Sequence, residues 1–160
     1  MFRSVLQKFR KTVFFMLAAF LCLLHCSFTP PMSEQEMLDW ANKCLSQSYD
    51  PSAEGNLKTW QLTLTDDGFI RLRKNYQKGK VEYYSFQLHR LSDMGYLGST
   101  AVGTLQLKTL ADDIIVQTYG DREGDVDSMS TQLNLPVKDM EPERLDSLQM
   151  VLDYFKKKDL

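Results

Sequence analysis

From Trp60 to Leu88 the chain alternates apolar and polar residues with a period of two, and one strand register alone keeps the apolar set together. Trp60, Leu62 and Leu64 alternate with Gln61, Thr63 and Thr65, and Asp66, Asp67 and Gly68 supply a turn. A three-residue loop at 66–68 pairs Thr65 with Phe69, and therefore Leu64 with Ile70, Leu62 with Leu72 and Trp60 with Lys74. A two-residue loop would scramble that face. A second loop at 77–79 pairs Tyr76 with Lys80 and sets Lys74 beside Glu82, Leu72 beside Tyr84 and Ile70 beside Phe86. The two hairpins agree on one dry face, which Leu88 extends, while Phe69, Arg71, Arg73, Tyr83, Ser85, Gln87 and His89 point the other way.

Around this segment the spacing predicts helix, further strands, then helix. Ser33 and Glu36 form a capping box, and Met37, Leu38, Ala41, Cys44 and Leu45 recur at helical spacing, so residues 34–47 are expected as an amphipathic helix with Cys44 toward the core. Asp93 to Ser99 reads as a connection, 102–108 and 114–119 as strands joined through 110–113, and Gly120 to Asp125 as a turn. Met129, Thr131, Leu133 and Leu135 alternate as a sixth strand that Pro136 ends. Pro142 suits the first turn of a closing helix whose stripe is Leu145, Leu148, Val151, Leu152 and Phe155. The expected fold is α+β: an N-terminal helix, an antiparallel meander of about six strands, open or curled into a partial barrel, and a C-terminal helix, all in one domain over 33–160.

The first thirty residues carry an address. Arg3, Lys8, Arg10 and Lys11 precede an uncharged apolar run from Val13 to Leu24, the pattern of a signal peptide over residues 1–25. As a helix that run rises about 18 Å, short of the ~30 Å hydrocarbon core, so a permanent membrane span is disfavoured. Leu23, Leu24, His25 and Cys26 resemble the lipobox of bacterial lipoproteins, with His25 where that motif usually carries a small residue. The resemblance implies an acylated Cys26 as the new N-terminus and residues 26–32 as a tether between bilayer and domain. Removing residues 1–25 takes four basic and no acidic side chains and lowers the formal charge from −2 to −6, which argues against a nucleic-acid partner. Cys44 would then lack an intramolecular partner, so no disulfide framework is expected.

Few residues look chemical. There is no G-x-S-x-G, H-E-x-x-H, P-loop or G-x-G-x-x-G pattern, and no cofactor is expected. In a meander the turns at 66–68, 93–99 and 120–125 would share one end and gather Asp66, Asp67, Asp93, Asp121, Glu123 and Asp125. Of these Asp121, Glu123 and Asp125 are a candidate for a calcium-type oxygen site, set against the ordinary need of tight turns for Asp and Gly. His89 would be the lone histidine of the processed chain, too few for a multi-histidine zinc site. The better binding candidate is the outer face of the second hairpin, where Phe69, Arg71, Arg73, Tyr83, Gln87 and His89 combine aromatic bodies with hydrogen-bond donors that suit a sugar or a protein partner.

The expectation is a lipid-anchored, non-enzymatic binding or accessory module of the bacterial cell envelope, in the periplasm or at the outer membrane. Its membrane contact is the lipid, its partner an envelope protein or glycan. The alternatives are a small periplasmic hydrolase using loop carboxylates such as Asp93 and Asp121, or a small-ligand carrier with an enclosed apolar cavity. After expression in a bacterium, intact-mass spectrometry of the membrane fraction is expected to show a diacylated or triacylated chain beginning at Cys26. An unmodified chain retaining Met1 would remove the envelope reading.

Overall fold

The computed structural model describes residues 32–158. The expected leader, Cys26 and all of the tether but Met32 lie outside the described residues. Helix α1 (Glu34–Ser48) starts where the sequence places it: the Glu36 N–H donates to Ser33 Oγ at 3.3 Å and the Ser33 N–H donates to Glu36 Oε2 at 2.7 Å, a reciprocal capping box. Its buried side chains, Leu38, Ala41, Cys44 and Leu45, follow the helical period. The helix ends at Tyr49, and a short 3-10 turn follows (Pro51–Ala53), capped by Asp50, whose Oδ1 accepts from the Ser52 N–H at 3.1 Å.

Eight strands come next: β1 (Leu57–Leu64), β2 (Phe69–Tyr76), β3 (Val81–Gln87), β4 (Leu91–Gly98), β5 (Val102–Thr109), β6 (Ile114–Tyr119), β7 (Asp127–Ser130) and β8 (Gln132–Lys138). Helix α2 (Pro142–Lys158) closes the chain with Leu148, Val151, Leu152 and Phe155 buried. All pairings are antiparallel. Both predicted hairpin registers are present: Leu64 faces Ile70, Leu62 faces Leu72, Trp60 faces Lys74, and on the next pair Ile70 faces Phe86, Leu72 faces Tyr84 and Lys74 faces Glu82. Each loop ends in a glycine at positive φ, Gly68 at 74° and Gly79 at 90°, which a three-residue hairpin loop requires and a side chain resists.

The arrangement of strands departs from a single meander of six. The strands form two sheets, one of five in the order β1-β2-β3-β6-β7 and one of three in the order β4-β5-β8, and neither closes into a barrel. Residues 110–113 therefore carry the chain from one sheet to the other instead of closing a hairpin, and β6 pairs with β3. Alternation says which side of a strand is dry but not which strand lies beside it. The expected connection at 93–99 is mostly strand β4. A register shift between Leu91 and Asp93 interrupts its alternation, so the inward set Leu91, Met94 and Tyr96 has no clean period. The expected sixth strand is two: Thr131 separates β7, in the large sheet, from β8, in the small one.

Pro136 lies inside β8 rather than ending it. Its carbonyl points away from β5 and accepts the Asp50 N–H at 2.8 Å, so on this edge strand no ladder bond is lost. Tyr49 bridges Val137 on the same edge. Buried residues of both sheets and both helices form one core that includes Leu62, Leu72, Phe86, Leu105, Leu135, Leu148 and Phe155. Among the described residues no helix is long and apolar enough to cross a membrane.

Leu72 is fully buried, whereas Arg71, its neighbour on the opposite face, is exposed. Leu72→Asp places an unpaired charge in the core and is expected to cost more than about 4 kcal/mol, enough to unfold the domain, while Arg71→Asp should stay within about 1 kcal/mol. Urea denaturation followed by circular dichroism checks both, and equal tolerance would mean the faces are assigned wrongly.

Candidate functional site

The outer face of the large sheet is a run of cross-strand rows. Strand pairing sets Gln61, Arg73, Tyr83, Gln117 and Asp127 side by side across all five strands, with Thr63, Arg71, Ser85, Ile115 and Met129 as the adjacent row. Two shallow depressions result. One, of about 310 Å³, is lined by Gln61, Thr63, Thr65, Arg71, Arg73 and Tyr83; the other, of about 270 Å³, by Arg73, Val81, Tyr83, Gln117 and Tyr119. Arg73 and Tyr83 line both, so the two depressions adjoin at that pair and together form a shallow trough over β1, β2, β3 and β6, with the pair at its middle.

The side chains along this trough differ in how they are already engaged. The Arg71 guanidinium lies 5.0 Å from the Phe69 ring centroid and 3.8 Å from Asp67 Oδ2. At the far end the Tyr119 hydroxyl donates to Gln117 Oε1 at 3.0 Å and Gln117 Nε2 donates to Asp127 Oδ1 at 3.2 Å. Between them, the Arg73 guanidinium and the Tyr83 hydroxyl have no hydrogen-bond or ion-pair partner among the described residues.

Of the six residues read from sequence as a binding surface, Arg71, Arg73 and Tyr83 meet in the trough. Phe69 and Gln87 pair at the end of β2 and β3. His89 does not continue the strand: it lies in a 3-10 turn (Leu88–Arg90), and its Nδ1 is buried without a partner.

The acidic turns do not gather as a six-strand meander would place them. The 120–125 turn lies beside the 77–79 loop, with Lys80 Nζ 2.8 Å from Asp121 Oδ2, whereas the 66–68 turn is at the other end of the same strands. Asp93 sits in the small sheet against Lys108 at 3.4 Å. Within the 120–125 turn the acids serve the backbone: the Asp121 N–H donates to Asp125 Oδ1 at 3.0 Å and the Glu123 N–H to Asp121 Oδ1 at 3.1 Å. Among the described residues no three of His, Cys, Asp and Glu come together as a metal site. Between β4 and α2 a pocket lined by Met94, Leu152 and Lys156 holds about 60 Å³, room for little more than water.

A second polar cluster, which the sequence reading did not draw out, lies on the dry face itself. Lys74 is only 5% exposed; its ammonium contacts Glu54 Oε1 and stands 3.9 Å from Glu82 Oε2. The Tyr49 hydroxyl donates to Glu54 Oε1 at 3.1 Å, and the Tyr76 and Tyr84 hydroxyls donate to Glu82 Oε2 at 2.9 and 3.2 Å. Lys80 adds a bridge from Glu82 Oε1, at 3.0 Å, to Asp121.

Burial pushes the Glu82 carboxyl up, but hydrogen bonds from Lys80 and Tyr76 and the charge of Lys74 outweigh it and hold the group below its ordinary range. Burial and then the Glu82 charge push the Tyr84 phenol up to about 12, and Tyr49 and Tyr76 rise further for the same kind of reason. All three phenols therefore stay protonated donors at neutral pH. Each charge meets an opposite one, so the cluster clamps the 51–56 segment and the turn after β6 to the sheet. The available signal was the pairing of Lys74 with Glu82 on an otherwise apolar face, where opposite charges must find each other.

Lys74→Met leaves Glu54 and Glu82 short of a buried cation and is expected to cost about 3–5 kcal/mol in urea denaturation. Adding Glu54→Gln and Glu82→Gln should recover much of that loss. Because the folded-state carboxyl of Glu82 sits below its unfolded value, its contribution is complete above the ordinary carboxylate range and disappears as pH falls through the folded value. Glu82→Gln should flatten the acid limb of the stability profile, and an unchanged limb would show that the charge contributes nothing. The chain matches no protein-family model, and comparisons with curated proteins and with solved structures gave no match either.

Proposed function

We propose that this chain is a non-enzymatic binding module of the bacterial cell envelope, tethered by lipid at Cys26, that presents the outer face of its five-stranded sheet to an envelope component. The observation that carries the reading is the Arg73 and Tyr83 pair: adjacent polar side chains in an open trough, both without a partner among the described residues. These two side chains are available to a partner, whereas Arg71 and Gln117 beside them are already engaged with Asp67 and Asp127. The two dominant titratable clusters support binding over catalysis, because the Lys74 cluster is tied up in its own ion pairs and the Asp121 and Asp125 carboxylates accept backbone amides.

The test is a titration of the isotope-labelled full chain, in detergent micelles, with polysaccharide and protein fractions of a bacterial envelope, read by backbone amide resonances. Shifts are expected to concentrate on β2 and β3 around Arg71, Arg73 and Tyr83 and to vanish in Arg73→Glu. Shifts confined to the small sheet or the helices, or none with any fraction, would overturn the reading.

A further inference from the structure

Resting on that binding-face reading, we infer that the ligand is an acidic saccharide, an extended carbohydrate chain bearing carboxylates, gripped at Arg73 and Tyr83. The first argument is charge. The processed chain would carry −6, yet the trough between β1 and β3 is lined by two arginines and by neutral polar side chains. With Arg71 offset by Asp67, Arg73 gives this strip a local positive charge, which at short range favours an anionic group although the chain as a whole is acidic. Arg71 is partly committed to Asp67 and the Phe69 ring, which leaves the Arg73 fork as the group able to take a carboxylate through two parallel hydrogen bonds.

The second argument is shape and chemistry. The two adjoining depressions together span four strands, about 14 Å at the usual strand spacing, a reach that suits an oligomer laid across the sheet with one residue on each side of the Arg73 and Tyr83 pair better than a single small ring. Its walls offer the half-buried ring and free phenol of Tyr83 and the Gln61 amide, which suit sugar faces and hydroxyls. Ile115 and Met129 lie outside the trough and Val81 and Tyr119 line only its β3–β6 end; the part between β1 and β3 has no aliphatic lining, so it offers no apolar socket to seat the anchor residue of a protein partner.

Calorimetry on the full chain in detergent micelles tests this with three probes: an oligogalacturonate hexamer, the same hexamer with its carboxylates reduced to alcohols, and polyglutamate of equal charge. The hexamer is expected to bind, with the reduced hexamer and polyglutamate each at least about tenfold weaker. Arg73→Ala should lose at least about tenfold without lowering the melting temperature, and Arg73→Lys should recover little of it, because a point charge does not replace the fork.

Equal affinity for polyglutamate would mean simple charge attraction or a peptide ligand and overturns the inference, as does an Arg73→Ala variant that binds like the wild type. No binding of the hexamer, with the outer-face resonances still moved by another envelope fraction, removes the acidic saccharide and leaves the binding face standing. If no fraction moves those resonances, both fall.

Discussion

Five side chains on one face of the first three strands, Leu62, Leu64, Ile70, Leu72 and Phe86, must be dry together, and the rest of the molecule is arranged around that requirement. Each is worth about 1.5–3 kcal/mol of burial. A slip of one residue in the first hairpin would expose Leu62 and Leu64 together, a loss of about 3–6 kcal/mol and so a large part of the stability of an ordinary domain, about 5–15 kcal/mol. The glycines that end the two loops keep that slip from occurring, and the same alternation places Arg71, Arg73 and Tyr83 together on the opposite face.

The ion cluster around Lys74 is the exception on the dry face and shows what burying a charge demands. A lone ammonium there would cost several kcal/mol, so it is met by two carboxylates, which are in turn met by three phenols and Lys80. A long-range consequence follows. Glu54, held by Lys74, comes from the segment between α1 and β1, and Asp121, held by Lys80, from the turn after β6, so the two lysines, linked through Glu82, tie together parts of the chain that no periodic pattern relates. Asn42 does a comparable job on the free edge of β1: its amide donates to Leu64 O and accepts from the Leu64 N–H, both at 2.8 Å, and so pairs one residue of the edge strand with a helix.

The candidate binding face was half legible. Arg71, Arg73 and Tyr83 followed from hairpin register because their neighbours are local in sequence. Gln61 belongs to the same rows by that register, but Gln117 and Tyr119 arrive only because β6 docks on β3. His89 was misplaced for a local reason: one 3-10 turn ends the strand two residues earlier than the alternation does. The acidic rim was misplaced for a global one, since its members would have met only in a single meander.

What the sequence determined by itself was everything set by contacts within a turn or a hairpin: the capping box of α1, both loop lengths, the dry face of β1 to β3 and the apolar stripe of α2. Tertiary structure decided the rest. The split into two sheets, the strand at 91–98 with its register shift, the break at Thr131 and the place of Pro136 on an edge all depend on which strand lies beside which. Periodicity records that a side chain must leave water; it carries no label for the partner that receives it, and that choice is made by the packing of the whole core.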